Sequence, residues 1–432
     1  MNVVVYLAGA LIFFALVMAS IALHEIGHLL PGKRFGVKTT QYFVGFGKTL
    51  WSRRRGETEY GIKAVPLGGY VRFVGMYPPA KDHPGEVRAA RTGIFQSLAD
   101  NARAAEWETI RPEDDGRLFY QKAWWQKLII MAGGPTMNLL LAFLILLGVS
   151  ATYGVNRIQL TVHEVVPCIV PVDATDQSCA GKPPTPAAAS GIQPGDRVVA
   201  FNGTAVTEWE QVSELIRANL DRPARITVER GGQRVELTPV NTVISGVRDR
   251  YDPSKRVAAG FFGVEPDIAR ERGGPIAVGR DMWQMTKQTA VALVDFPVKV
   301  GYTAYNLVTG KPRDIYGPMS IVGASRAAGE IASTDKIDWA TKIASMFTVL
   351  GSVNLFVALF NFVPLLPLDG GHIAGALYEA LRRGLARLRR RPDPGHVDTA
   401  KMLPVAYVVG AAILLSGIVL ILADIIDPIR LF

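Results

Sequence analysis

Charge is scarce in this 432-residue chain: 20% of residues are Asp, Glu, Lys or Arg, against 49% hydrophobic ones. Disordered chains are charge-rich and apolar-poor, so disorder is excluded. Cysteine is scarcer still. Two residues, Cys168 and Cys179, cannot staple a chain of this length, which excludes a disulfide scaffold. No low-complexity tract or internal repeat stands out. A mean hydropathy of +0.20 with so few charges points to a membrane.

The gaps between charges are long. Residues 1–23, 128–156, 343–368 and 402–423 contain no charged side chain. Each can cross a bilayer core, which needs about 20 apolar residues. A cleaved signal peptide would begin with a basic region and end in a small-residue cleavage site. The first stretch has neither and is read as a retained helix. The net charge of +9 is unevenly placed. Residues 31–127 carry +7, residues 157–338 net zero, and residues 378–401 carry +4. The two basic stretches share one side of a four-span topology, and the positive-inside rule makes that side cytoplasmic. The N-terminus and the long neutral loop are then outside. Basic runs flanking spans are not a nucleic-acid face, so no nucleic-acid partner is expected.

The first span ends in His24-Glu25-Ile26-Gly27-His28. On a helix, positions i and i+4 share a face, so both imidazoles can reach one metal ion. Glu25 is displaced around the helix, toward a water beside the metal. Zinc suits imidazole ligands. The pattern alone is weak, but ionisable groups at the end of a membrane span are costly and usually functional. Such a site needs a third protein ligand. Asp369 is the only acid within or bordering the third span, at the same depth as His24 and His28 in this topology. Pro364 and Pro367 break regular helix before it, and Gly370-Gly371 permits close backbone approach. His372 is read as supporting the site or lying at the interface.

His-Glu-x-x-His in a first span, with Asn361-Phe-Val-Pro364 and Leu368-Asp369-Gly370 in a later one, resembles the site-2 protease family of intramembrane zinc metalloproteases. Phe43-Val-Gly45-Phe-Gly47-Lys48 and Ala64-Val-Pro66-Leu67-Gly68-Gly69-Tyr70-Val71 resemble that family's membrane-associated β-hairpin region. Gly133-Gly134-Pro135 and Gly317-Pro318-Met-Ser-Ile321 also match. The likeness is to the bacterial regulator-of-sigma-factor type, with one PDZ domain. It implies that His24, His28 and Asp369 bind zinc and that Glu25 is the catalytic base. It implies a role for Asn361 in holding substrate or an oxyanion, with Gly45, Gly47 and Pro364 as further substrate-side positions. The residues after His28, Leu29-Leu30-Pro31-Gly32, depart from the family, and Pro31 is expected to bend or end the helix. Pro135 and Asn138 either line the cavity or pack.

The expected fold is therefore a polytopic α-helical membrane protein with four transmembrane helices. Its segments are a first helix over 1–30, a β-hairpin region and basic loop over 31–127, and a second helix over 128–156. A PDZ-like domain over 157–245 follows, then a linker with amphipathic helices over 246–340. The third helix spans 341–372, a basic loop 373–401, and the fourth helix 402–426. Within the outer domain, the run from Ser190 to Gly203 reads as turn, strand and Asn-Gly turn. Such a domain either excludes bulky substrates or adds a peptide strand to its sheet edge. Both cysteines fall here, in oxidising territory, and a disulfide is expected. Residues 275–309 read as helix lying on the outer membrane surface.

The function expected is cleavage of single-pass membrane proteins, such as anti-sigma factors, within or near their transmembrane segment. The location is a bacterial plasma membrane, with the active site near the cytoplasmic side. A membrane adaptor and a metal carrier are the competing readings. Neither has a use for the general base Glu25.

Overall fold

The computed structural model describes residues 2–78, 110–170, 178–248 and 256–430. The middle of the first basic stretch, 79–109, lies outside the described residues, as does 171–177 between the cysteines. The chain forms two compact units, Met1–Val149 with Gly274–Phe432, and Ser150–Gly273.

The first unit starts with helix α1 (Val3–Arg34). Asn2 caps it, its side chain accepting from the Val4 and Val5 amides. Lys33 and Arg34 occupy the last turn, where the helix dipole favours cations. At 32 residues, α1 is about 48 Å long, more than a bilayer core of about 30 Å. Pro31 does not end it: the helix runs on to Arg34. The expected break is absent because Pro31 sits in the last turn, where only the Gly27 carbonyl loses a partner. That carbonyl lies instead against Gly133 of helix α2 (Trp124–Thr152), so closely that a methyl group on Gly133 would collide with it. Glycine on both sides is what lets the two backbones cross.

Between these helices, strands β1 (Thr39–Arg55) and β2 (Thr58–Phe73) form an antiparallel ribbon. Residues 41–44 pair twice, with 59–62 and with 69–72. Gly45, Gly47 and Gly68 carry positive φ values of 92°, 79° and 130° and allow the bends this requires. The ribbon's far end exposes Phe46, Leu50, Trp51, Val65 and Leu67, an apolar tip suited to lipid or to an apolar substrate. Its near end is tied to α1, where the Tyr42 hydroxyl donates to the Ala22 carbonyl at 2.9 Å.

The second unit is a sheet with a small core. Strands β3 (Val155–Val165), β4 (Arg197–Phe201), β5 (Ile226–Arg230), β6 (Gln233–Glu236) and β7 (Val264–Glu271) are ordered β7-β3-β4-β5-β6. Helix α3 (Pro186–Ser190) and helix α4 (Trp209–Asn219) accompany them. Trp209, Val212 and Ile216 recur on one face of α4 and bury against Val198, Phe201, Ile226 and Val228. Cys168 and Cys179 are disulfide-bonded. Asp196 takes two 2.7 Å hydrogen bonds from Arg230 and one from the Gln193 amide.

The first unit then resumes with α5 (Pro275–Thr309), α6 (Ile321–Ser333), α7 (Trp339–Asn361), α8 (Asp369–Leu388) and α9 (Leu403–Ile426). Among the described residues, four segments are long and apolar enough to cross a membrane: Val3–Arg34, Trp124–Thr152, Trp339–Asn361 and Thr399–Ile426. The third stops at Asn361, and a turn over 362–368 leads to a new helix starting at Asp369. At the far end of α9, Asp424 is buried and accepts from Arg313 at 2.6 Å, from the Ser320 amide and hydroxyl, and from the Gly323 amide.

Candidate metal centre

Three elements deliver the centre. One face of α1 presents His24 and His28, one turn apart. The first residue of α8 presents Asp369. The turn before it is held tight because Gly370 and Gly371 lack side chains. A methyl group on Gly370 would collide with the Val363 carbonyl, and one on Gly371 would lie 2.6 Å from the Leu366 nitrogen. An acid at the start of a helix is favoured by the dipole, which leaves Asp369 fixed and aimed at α1.

The donor atoms form a near-equilateral triangle. His24 Nε2 and His28 Nε2 are 3.3 Å apart, and Asp369 Oδ2 lies 3.3 Å from the first and 3.2 Å from the second. Oδ2 is buried, and although both imidazoles lie this near, neither contact has hydrogen-bond geometry. Three ligand atoms that converge this closely, one of them a buried oxygen without a hydrogen-bond partner, are aimed at a common point. A tetrahedral ion with bonds of about 2.0 Å needs ligand atoms about 3.3 Å apart, so the triangle fits zinc-type coordination. Among the described residues no fourth His, Cys, Asp or Glu joins the group. His372 stands apart, lining a small cavity with Met76, Phe119, Lys127 and Glu379.

The histidines are oriented from α2. His28 Nδ1 lies 2.8 Å from the Ile130 carbonyl, an acceptor only. Nδ1 therefore carries the proton, and the Nε2 lone pair faces the triangle. His24 Nδ1 lies 3.1 Å from Asn138 Oδ1 and is set the same way. Asn138 thus supports His24, a role other than the cavity lining or packing expected of it. Gly134 roofs the cradle: a methyl group there would fall 2.7 Å from His24 Nε2 and collide with His28 Nε2. In the sequence, Gly134 stands out only through the family likeness of Gly133-Gly134-Pro135, which does not say what it makes room for.

Glu25 is buried on α1 beside the triangle. The ribbon covers it. A methyl group on Gly69 would lie 2.8 Å from Glu25 Cγ and 3.3 Å from its Oε1. Tyr42 stands nearby. Burial, then the Glu25 charge and Tyr60, pushes its hydroxyl up to about 12, so it remains a donor to the Ala22 carbonyl. Asn361 ends α7 and donates its amide to the Val357 carbonyl at 3.1 Å. Pro364 is exposed in the turn before Asp369. Gly45 is packed under the Lys63 and Val65 carbonyls, and a methyl group on Gly47 would touch Val65 Cγ2 at 3.5 Å.

A helix-borne His-Glu-x-x-His completed by a distant carboxylate, inside a unit with four apolar helices, defines a membrane metallopeptidase. The comparisons agree. The family model described as Peptidase family M50 matches residues 12–391, and the chain belongs to that family. It is 31% identical to the zinc metalloprotease Rip1 of Mycobacterium tuberculosis over 447 residues, covering 99% of each chain. It is 32% identical to the protein of that name from Mycolicibacterium smegmatis over 441 residues, covering 98% of each. With the metalloprotease MmpA of Caulobacter vibrioides it shares 27% identity over 379 residues, covering 84% of each.

Proposed function

We propose that the chain is an intramembrane zinc endopeptidase that cuts single-pass membrane proteins, such as anti-sigma factors, within or near their membrane segment. The observation that carries this reading is the triangle of His24, His28 and Asp369 with Glu25 buried beside it. The donor set and its spacing fit zinc, the metal in the relatives' names. Zinc, when bound, supplies Lewis acidity and makes water a nucleophile near neutral pH. Glu25 takes the proton of the attacking water and passes it to the leaving amide nitrogen. Ile130 and Asn138 hold the imidazoles in the ligating tautomer. Asn361, at the end of α7, holds substrate backbone or an oxyanion in this reading. Pro364 shapes the turn that carries Asp369.

A transmembrane helix hides its amides in its own hydrogen bonds, so a substrate must be extended before it is cut. The β1–β2 ribbon, bent at Gly45 and Gly47 and touching Glu25 through Gly69, supports capture of an extended segment by strand addition. In this reading the N-terminus and the disulfide-bonded, PDZ-like second unit face outward, and His24, His28 and Asp369 lie toward the cytoplasm. The second unit filters bulky substrates or binds a peptide. The test uses purified protein in detergent, bound zinc and a single-pass substrate. Wild type is expected to hold about one zinc and to cleave. Glu25→Gln is expected to keep the metal and lose turnover, and His24→Ala or Asp369→Ala to lose both. Full activity in Glu25→Gln would overturn the mechanism.

A further inference from the structure

A second polar cavity, of about 660 Å³, lies at the opposite end of α1 from the metal ligands. Its size is that of a small-molecule site. Tyr6, Arg326, Glu330, Asp335, Lys336 and Arg430 contribute to its lining. Tyr6 precedes His24 by eighteen residues on one helix, a separation of about 27 Å. The hydrocarbon core is about 30 Å thick, so the cavity sits at the membrane–water boundary facing away from the metal. Arg430 reaches it just past the end of α9. Tyrosine and arginine at the ends of spans are the residues that meet lipid headgroups.

The walls are fixed. Helix α6 lies so close to α1 that a methyl group on Gly329 would fall 2.8 Å from the Tyr6 carbonyl. From that helix Arg326 points into the cavity rim half-buried, with its Nε buried and without a hydrogen-bond partner. No ion pair reaches Arg326 among the described residues. A buried guanidinium nitrogen without an acceptor is costly. Its planar fork matches a phosphate or a carboxylate bidentately, and at a membrane boundary the abundant anion is the lipid phosphate. The lining holds three cations and two carboxylates. Glu330 and Asp335 disfavour a ligand that is purely anionic and suit one that carries its own ammonium group.

We propose that this cavity binds the headgroup of a zwitterionic phospholipid, its phosphate on Arg326 and its amine toward Glu330 and Asp335. The site is independent of the peptidase reading and rests only on the four apolar helices being membrane spans. Inorganic phosphate shares the phosphate chemistry, but it lacks the amine and is not concentrated at the boundary.

The test is native mass spectrometry of the delipidated full-length protein in detergent. It is titrated with short-chain phosphatidylethanolamine, short-chain phosphatidylglycerol or inorganic phosphate. Wild type is expected to bind one phosphatidylethanolamine saturably, with phosphatidylglycerol weaker. Arg326→Gln is expected to weaken that binding about tenfold, and Arg326→Lys to retain most of it. Zinc content in each variant reports an intact fold. Arg430→Gln gives a second reading should Arg326→Gln fail to fold. Equal binding by wild type and by the folded glutamine variants would overturn the proposal. So would displacement of the lipid by millimolar inorganic phosphate, or by a short peptide through its terminal carboxylate.

Discussion

Asn138 Oδ1 lies 3.1 Å from His24 Nδ1, so an amide on α2 sets the orientation of a candidate metal ligand on α1. Loss of such a partner lowers metal affinity about 10–100-fold. Asn138→Ala is expected to bind zinc more weakly by that factor while inserting and folding normally. Chelator competition on the purified protein measures it. Unchanged affinity would make the contact incidental.

Gly134 tests the cradle from above. Gly134→Ala places a methyl group against both Nε2 atoms. The expected outcome is loss of metal and of activity together, in a protein that still inserts. Metal analysis per chain decides it. Gly148→Ala, on the same helix with open space around it, is the matched control and should keep both.

Asp424 and Arg313 form a buried pair, with 1% and 5% of their side chains exposed. The carboxylate also receives the Ser320 and Gly323 amides at the start of α6. Removing one partner of a buried pair costs about 3–5 kcal/mol, because the other charge is left uncompensated. Asp424→Ala should lower resistance to denaturant by that order. Asp424→Ala with Arg313→Met should recover part of the loss. A smaller effect in the single variant than in the double would refute this account.

The second unit should weaken in acid. Burial opposes ionisation of Asp196, but the Arg230 hydrogen bonds and the Gln193 amide outweigh it and hold the carboxyl below its ordinary value. A carboxylate with a depressed folded pKa stabilises above the unfolded pKa, about 3.9. That stability is lost as pH falls through the folded value. Footprinting of residues 150–273 in the intact protein should show a steep loss of protection below about pH 4. Asp196→Asn should start less stable and lose less with falling pH.

The candidate metal site is legible because charge is so scarce. Against uncharged spans, His24, Glu25, His28 and Asp369 are conspicuous, and helical spacing joins the first three. Their supports were less legible. Ile130 contributes a backbone carbonyl, which no side chain announces. Gly134 acts by lacking a side chain, and sequence gives no sign of what would otherwise collide there. Asp424 reads as a polar flank of the last span, since its partner Arg313 is 111 residues away. Pro31 shows the reverse error. Its rule is sound in a helix interior, but in the last turn the cost is one carbonyl, that of Gly27, which lies against Gly133.

That crossing divides the centre into unequal halves. His24, His28, Asn138, Ile130 and Gly134 all belong to α1 and α2, whose backbones meet at Gly27 and Gly133. Parting those helices would dismantle the cradle itself. Asp369 arrives separately, on a helix begun afresh after the 362–368 turn. On the proposed reading, a substrate enters against the ribbon or the turn, on the side of the Asp369 helix, and the α1–α2 pair serves as the anvil.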